Sequence, residues 1–217
     1  MLHFKRLSLI AGGLVASALA SADHFSWIQW TDYSAGVAHG TIASNQGTVN
    51  VTLTGGFDYL DYGYPSWDPT NTWADGSVID NHVDSNGIAH ISQEGSYTLT
   101  FDKAVNHLAF GIWSLGNGNE TVVYDFNKTL TYVTGGPNAE YGGSSINMLS
   151  NHSFSGNEGN GSVIIEDSMT SLTWNIIGAE NWHGFTLGLR SDQAVPEPAS
   201  ITLLGLGVAA LIKRRRN

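Results

Sequence analysis

Apolar and polar residues alternate with the period of β-strands through most of the chain. In TVNVTLT, Val49, Val51 and Leu53 fall on one face, and in SYTLTF so do Tyr97, Leu99 and Phe101. TVVYDF offers Val122, Tyr124 and Phe126, and TLTYVT offers Leu130 and Tyr132. SVIIE, SLTWNI and FTLGL follow, with Leu172, Trp174, Ile176, Phe185, Leu187 and Leu189 as inward positions. HLAFGIWS differs, because Leu108, Phe110 and Ile112 alternate with Ala109, Gly111 and Trp113, so both faces are apolar. That pattern predicts a central strand buried on both sides. Gly-, Asn- and Asp-rich breaks separate the runs, at Gly55-Gly56, Gly116 to Asn119, Gly135-Gly136-Pro137, Gly142-Gly143 and Gly156 to Gly161. No stretch between Asp23 and Val195 carries a helical period. The prediction is an all-β domain, a β-sandwich of jelly-roll type.

One segment breaks the alternation. Phe57 to Asn86 is aromatic, acidic and irregular, and it is too long for a passive hairpin loop. Tyr59, Tyr62, Tyr64, Trp67 and Trp73 lie there among Asp58, Asp61, Asp68, Asn71 and Asp75. Sugars stack their apolar faces on exposed rings while carboxylates and amides take the hydroxyls. Tyr62, Tyr64, Trp67 and Trp73 are therefore the glycan-binding candidates. The competing expectation is that the segment folds back and buries its own rings as a satellite cluster. Trp182 and His183, in the last turn, are further candidates.

The two ends have a different character. Lys5 and Arg6 precede an apolar stretch from Leu7 to Leu19, and Ala20-Ser21-Ala22 is a small-x-small cleavage site. This is the pattern of a secretory signal peptide, with Ala20 and Ala22 recognised by signal peptidase and Asp23 as the first mature residue. At the other end, Pro196-Glu197-Pro198 precedes an uncharged run from Ser200 to Ile212 and the cations Lys213, Arg214, Arg215 and Arg216. A helix of that length reaches about 20 Å, short of a ~30 Å hydrocarbon core, so snorkelling cations would narrow the gap. The cations favour the cytoplasmic side. The expected organisation is a signal peptide at 1–22 (an N-terminal signal helix), an ectodomain at 23–192, and a C-terminal membrane helix within 193–217.

These C-terminal elements, in this order, resemble the PEP-CTERM sorting signal. The resemblance implies recognition by an exosortase in the inner membrane and cleavage near Pro196-Glu197-Pro198. It also implies a Gram-negative host that makes exopolysaccharide. The protein would be anchored transiently, then released to the cell surface or matrix. The stretch Glu158 to Leu189 resembles β-sandwich ectodomains of other proteins with this tail, and it brings no activity with it.

Charge sharpens the picture. The chain has a formal net charge of −10. Between Asp23 and Val195 only Lys103, Lys128 and Arg190 are cationic, against 18 acids. Such a surface excludes nucleic acid as a partner and attracts cations. The chain has no Cys, which removes disulfides, thiolate metal sites and thiol nucleophiles.

Other chemistry is sparsely signalled. His82 to Gln93 places Asp84, Asn86 and Gly87 at EF-hand-like positions, but His82 and Gln93 stand where the motif needs acids. Asp84 and Asn86 are candidates for a structural Ca²⁺ site, set against a simple turn. His82, His90 and His107 lack the spacing of a zinc motif. There is no GxSxG elbow. A glycosidase would need two facing carboxylates, to be found among Glu94, Glu120, Glu158, Glu166 and Glu180. The overall expectation is a non-catalytic exported surface or matrix protein associated with exopolysaccharide. A carbohydrate-binding module and a glycan-active hydrolase are the alternatives.

Overall fold

The computed structural model describes residues 23–44 and 47–191. The expected signal helix and C-terminal membrane helix lie outside them, as do Ala20, Ala22, Pro196, Glu197, Pro198, Lys213, Arg214, Arg215 and Arg216. Among the described residues no helix is long and apolar enough to cross a membrane.

The chain opens with β1 (Phe25–Trp27), β2 (Gln29–Ser34), β3 (Val37–Ile42), β4 (Val49–Thr54) and β5 (Tyr59–Asp61). An irregular segment with a single 3-10 turn (Thr70–Thr72) leads to β6 (Ile88–Ile91), β7 (Gly95–Val105), β8 (Leu108–Leu115) and β9 (Val122–Phe126). Next come β10 (Thr131–Gly135), β11 (Ser144–Ser145), β12 (Asn147–Met148) and β13 (Ser153–Gly156). The domain closes with β14 (Gly159–Ile165), β15 (Met169–Ile177) and β16 (His183–Arg190).

These strands form two sheets, as a β-sandwich requires. One runs β10-β14-β8-β16-β6-β5, with β1 on β16 and β11 on β14. The other runs β12-β13-β9-β15-β7-β4-β3-β2. Pairing is antiparallel except for β11 with β14. From β7 onward the chain crosses repeatedly between sheets, so that β7-β15-β9-β13 faces β8-β14-β10. Period-two strands bury one face each against the opposite sheet.

The inter-sheet core is aromatic at its centre. Phe110 stacks on Phe185 at 4.7 Å and meets Trp174 edge-on at 5.6 Å. Trp174 stacks in turn on Tyr97 at 5.6 Å. β8 is buried along its whole length, as its two apolar faces predict. Leu108, Phe110 and Ile112 enter the inter-sheet core, while Ala109 and Trp113 belong to a second cluster on the outer face.

That second cluster is made by the irregular segment. Trp67, Trp73, Ala74, Ile79 and Val83 fold back over the outer face of β8, β14 and β1. Trp67 and Trp73 meet edge to face at 5.2 Å. Both lean over Gly111, where a Cβ would stand 3.6 Å from Trp73 and 3.8 Å from Trp67. The Trp73 indole N–H donates to the Ile112 carbonyl at 2.7 Å, and the Ser162 hydroxyl donates to the Trp73 carbonyl at 2.7 Å. Two asparagines act as strand mimics. Asn81 accepts from the Phe25 N–H at 2.8 Å and donates to its carbonyl at 2.9 Å. Asn86 does the same with Trp30, at 2.8 Å both ways. The segment is thereby stitched to β1 of the first sheet and β2 of the second by backbone-like bonds.

Candidate functional site

The stitching corrects half of the sequence-based glycan site. Trp67 is 2% exposed and Trp73 is fully buried, so neither ring offers a face to a ligand. The reason is β8: its outer face is as apolar as its inner one, and something must cover it. Tyr62 is 47% exposed but stands apart, close enough to Asp32 and Tyr33 for their charges to act on it. Tyr64, alone of the four, lines a cleft.

That cleft has a volume of about 640 Å³ and lies at the end of the sandwich where β8 finishes and β16 begins. Its aromatic wall is Tyr64, Tyr141 and Trp182. The rings are set at steep mutual angles. Tyr64 and Trp182 are 5.7 Å apart at 75°, and Tyr64 and Tyr141 are 6.1 Å apart at 54°. Trp113, fully buried behind them, meets Trp182 at 4.9 Å and Tyr141 at 5.6 Å, both edge to face. Tyr141 is 69% exposed, so it forms the outer lip.

The polar wall comes from four connections. Asp61 ends β5, Asn117 follows β8, Glu158 precedes β14, and Glu180 and Asn181 lie between β15 and β16. Ser114, on β8, completes it. Two of these residues hold left-handed backbones without being glycine, Ser114 at φ 58° and Glu158 at φ 51°. Such conformations cost of order 1–3 kcal/mol and gather at working sites. Here the two are linked, since the Ser114 hydroxyl donates to Glu158 Oε2.

A buried amide network fixes the loops around them. Asn160 Oδ1 accepts from the Ser114 N–H at 2.8 Å and from Asn138 Nδ2 at 3.1 Å. Asn160 Nδ2 donates to the carbonyls of Glu158 at 3.0 Å and Gly142 at 3.2 Å. Asn138 Oδ1 then accepts from the N–H groups of Glu140 and Tyr141, at 3.0 and 2.6 Å. With Asn160 fully buried and Asn138 nearly so, the chain carrying Tyr141 is tied to the sheet edge.

Glu180 is held from two sides. Its Oε1 accepts from the Gly116 N–H at 2.6 Å and lies 2.8 Å from Nδ1 of the fully buried His183. His90 lies behind Trp182, 5.3 Å from it, with Tyr59 stacked on its other side at 4.4 Å. Burial holds the His90 imidazole below its usual range, opposed by Asp58 Oδ2 at 3.0 Å. Tyr64 is pushed the other way. Burial, the neighbouring Tyr141 and the charges of Glu140 and Asp61 lift its hydroxyl well above the usual phenol range, so it stays protonated.

The Ca²⁺ candidates do not converge. Asn86 has both amide atoms on Trp30, and Asp84 is exposed, with its backbone carbonyl accepting from Gln29 Nε2 at 2.7 Å. Among the described residues, no three His, Asp or Glu side chains come together as metal ligands would. Sequence reasoning missed Tyr141, Asn117 and Asn181 as site residues. Each sits in a Gly- or Asn-rich break, and a lone ring flanked by glycines, as in Glu140-Tyr141-Gly142-Gly143, was the available signal.

No curated protein and no solved structure matches the chain. A family model of the PEP-CTERM protein-sorting motif matches residues 194–216. The tail is therefore a PEP-CTERM protein-sorting motif, and on it the chain reads as an exosortase-sorted exported protein.

Proposed function

We propose that this is a non-catalytic surface or matrix protein, held briefly in the inner membrane with its C-terminus cytoplasmic, then cut and released, whose sandwich binds exopolysaccharide through the end cleft. Signal peptidase and an exosortase are its processing partners. The interleaved strand order supports a jelly-roll reading of the domain. The single observation that carries the binding role is the pairing of the Tyr64, Tyr141 and Trp182 wall with the Asp61, Asn117 and Asn181 wall in one preformed cleft. Apolar rings for sugar faces opposite amides and carboxylates for hydroxyls is the chemistry of saccharide recognition.

The test is a glycan array with the full chain in mild detergent, repeated with Trp182→Ala. Retention of a defined glycan by the parent and its loss in an equally folded variant is the expected result. No glycan retained by either protein would refute the reading.

A hydrolase is the second reading, because Glu158 and Glu180 both line the cleft. It is disfavoured by their commitments: Ser114 donates to Glu158, and Gly116 and His183 hold Glu180. Release of reducing ends from the bound glycan, abolished by Glu158→Gln, would establish it instead.

A further inference from the structure

We propose that the cleft selects glycans bearing free amino groups. This rests on the saccharide-binding reading above and names the class of sugar. The first observation is the placement of charge. The register of the cleft-bearing sheet puts Leu108, Ile165 and Leu189 at one end and Leu115, Gly159 and His183 at the other. Lys103, Lys128 and Arg190 all belong to the first end. Lys103 Nζ donates to the Thr48 carbonyl at 2.8 Å, Lys128 pairs with Asp167 at 3.2 Å, and Arg190 pairs with Asp23 at 3.0 Å. The cleft belongs to the second end, where Asp61, Glu158 and Glu180 line it and Glu140 lies close enough to act on Tyr64. Among the described residues no Lys or Arg lines the cleft.

The second observation is independent of the acids. Three rings at steep mutual angles, Tyr64, Tyr141 and Trp182, border one space, with Trp113 buried behind them. An ammonium group over such faces is attracted by the ring quadrupole, most strongly where water is partly excluded. A uronate or sulfated sugar would meet carboxylates with no cation to pair it, which is costly on desolvation.

The experiment uses calorimetric titration of the full chain in detergent micelles with three probes: a glucosamine hexamer, its fully N-acetylated counterpart and an oligouronate of similar length. The amine form is expected to bind about tenfold tighter than the acetylated form at low salt, with the gap closing as salt rises. Asp61→Asn, which keeps the Oδ1 that accepts from the Gly63 N–H, should narrow the preference severalfold, weakening the amine form more than the acetylated one. Trp182→Ala should weaken both. Equal binding of the amine and acetylated forms, or preference for the uronate, overturns the inference while the saccharide reading stands. Absence of binding to all three overturns this inference, and a blank glycan array beside it removes the saccharide reading as well.

Discussion

The inter-sheet core and the outer cluster bury the same kinds of ring by different means. In the core, Phe110, Phe185, Trp174 and Tyr97 come from strands, and alternation alone puts them inside. In the outer cluster, Trp67 and Trp73 come from a segment with no period, held by the bonds of the Trp73 indole, Asn81 and Asn86 to neighbouring backbone. The core is specified by pattern and the cluster by particular partners. The candidate cleft lies at the margin of the cluster, where Tyr64 and Trp182 pack against it with one side still open.

The sharpest break should come in the core. Phe110→Ala removes a ring packed against Phe185, Trp174 and Phe126, and should cost about 3–5 kcal/mol by chemical denaturation. Trp73→Ala in the cluster should cost about 3 kcal/mol, near the lower end for large aromatic truncations. Glycan affinity of the folded fraction should not change. An exposed sugar platform would behave in the opposite way, losing affinity with little loss of stability, so this variant decides which role Trp73 has.

These two residues also mark what could be read beforehand. Phe110 was legible because a period-two strand states which face is inward. The burial of β8 on both faces was legible as well, from Ala109, Gly111 and Trp113. Trp67 and Trp73 were not, because a ring in an aperiodic acidic segment looks the same whether it covers a neighbour or meets solvent. The missing information was that the outer face of β8 needed a cover. The cleft itself joins residues from five connections, Asp61 to Trp182, and sequence spacing carries no trace of that convergence. Trp182 stands out in the sequence by its place in the last turn, whereas Tyr141, beside the Gly142-Gly143 break, has no such mark.

A smaller effect tests the stitching. Asn86→Ala leaves the Trp30 N–H and carbonyl without their partner and should cost about 1–2 kcal/mol. Asn86→Asp keeps the acceptor and should recover part of the loss.

The smallest effect is a pH dependence at the back of the cleft. His90 has a folded-state pKa below its unfolded one, so between the two values the unfolded chain binds the extra proton. Its contribution is therefore complete above the ordinary histidine value of about 6.5 and falls as pH drops from there toward the folded value. Thermal melts at pH 7.5, 6.5 and 5.5 should show a decline confined to the lower interval. His90→Gln should flatten that interval relative to the parent.

One titration addresses the central claim directly. Seven tryptophans give seven indole N–H resonances, at Trp27, Trp30, Trp67, Trp73, Trp113, Trp174 and Trp182. With the protein held at fixed concentration, addition of the glucosamine hexamer should move the Trp182 resonance first and most, with Trp113 following. Trp67, Trp73 and the core Trp174 should stay in place. Movement of Trp67 or Trp73 with Trp182 unmoved would contradict the account.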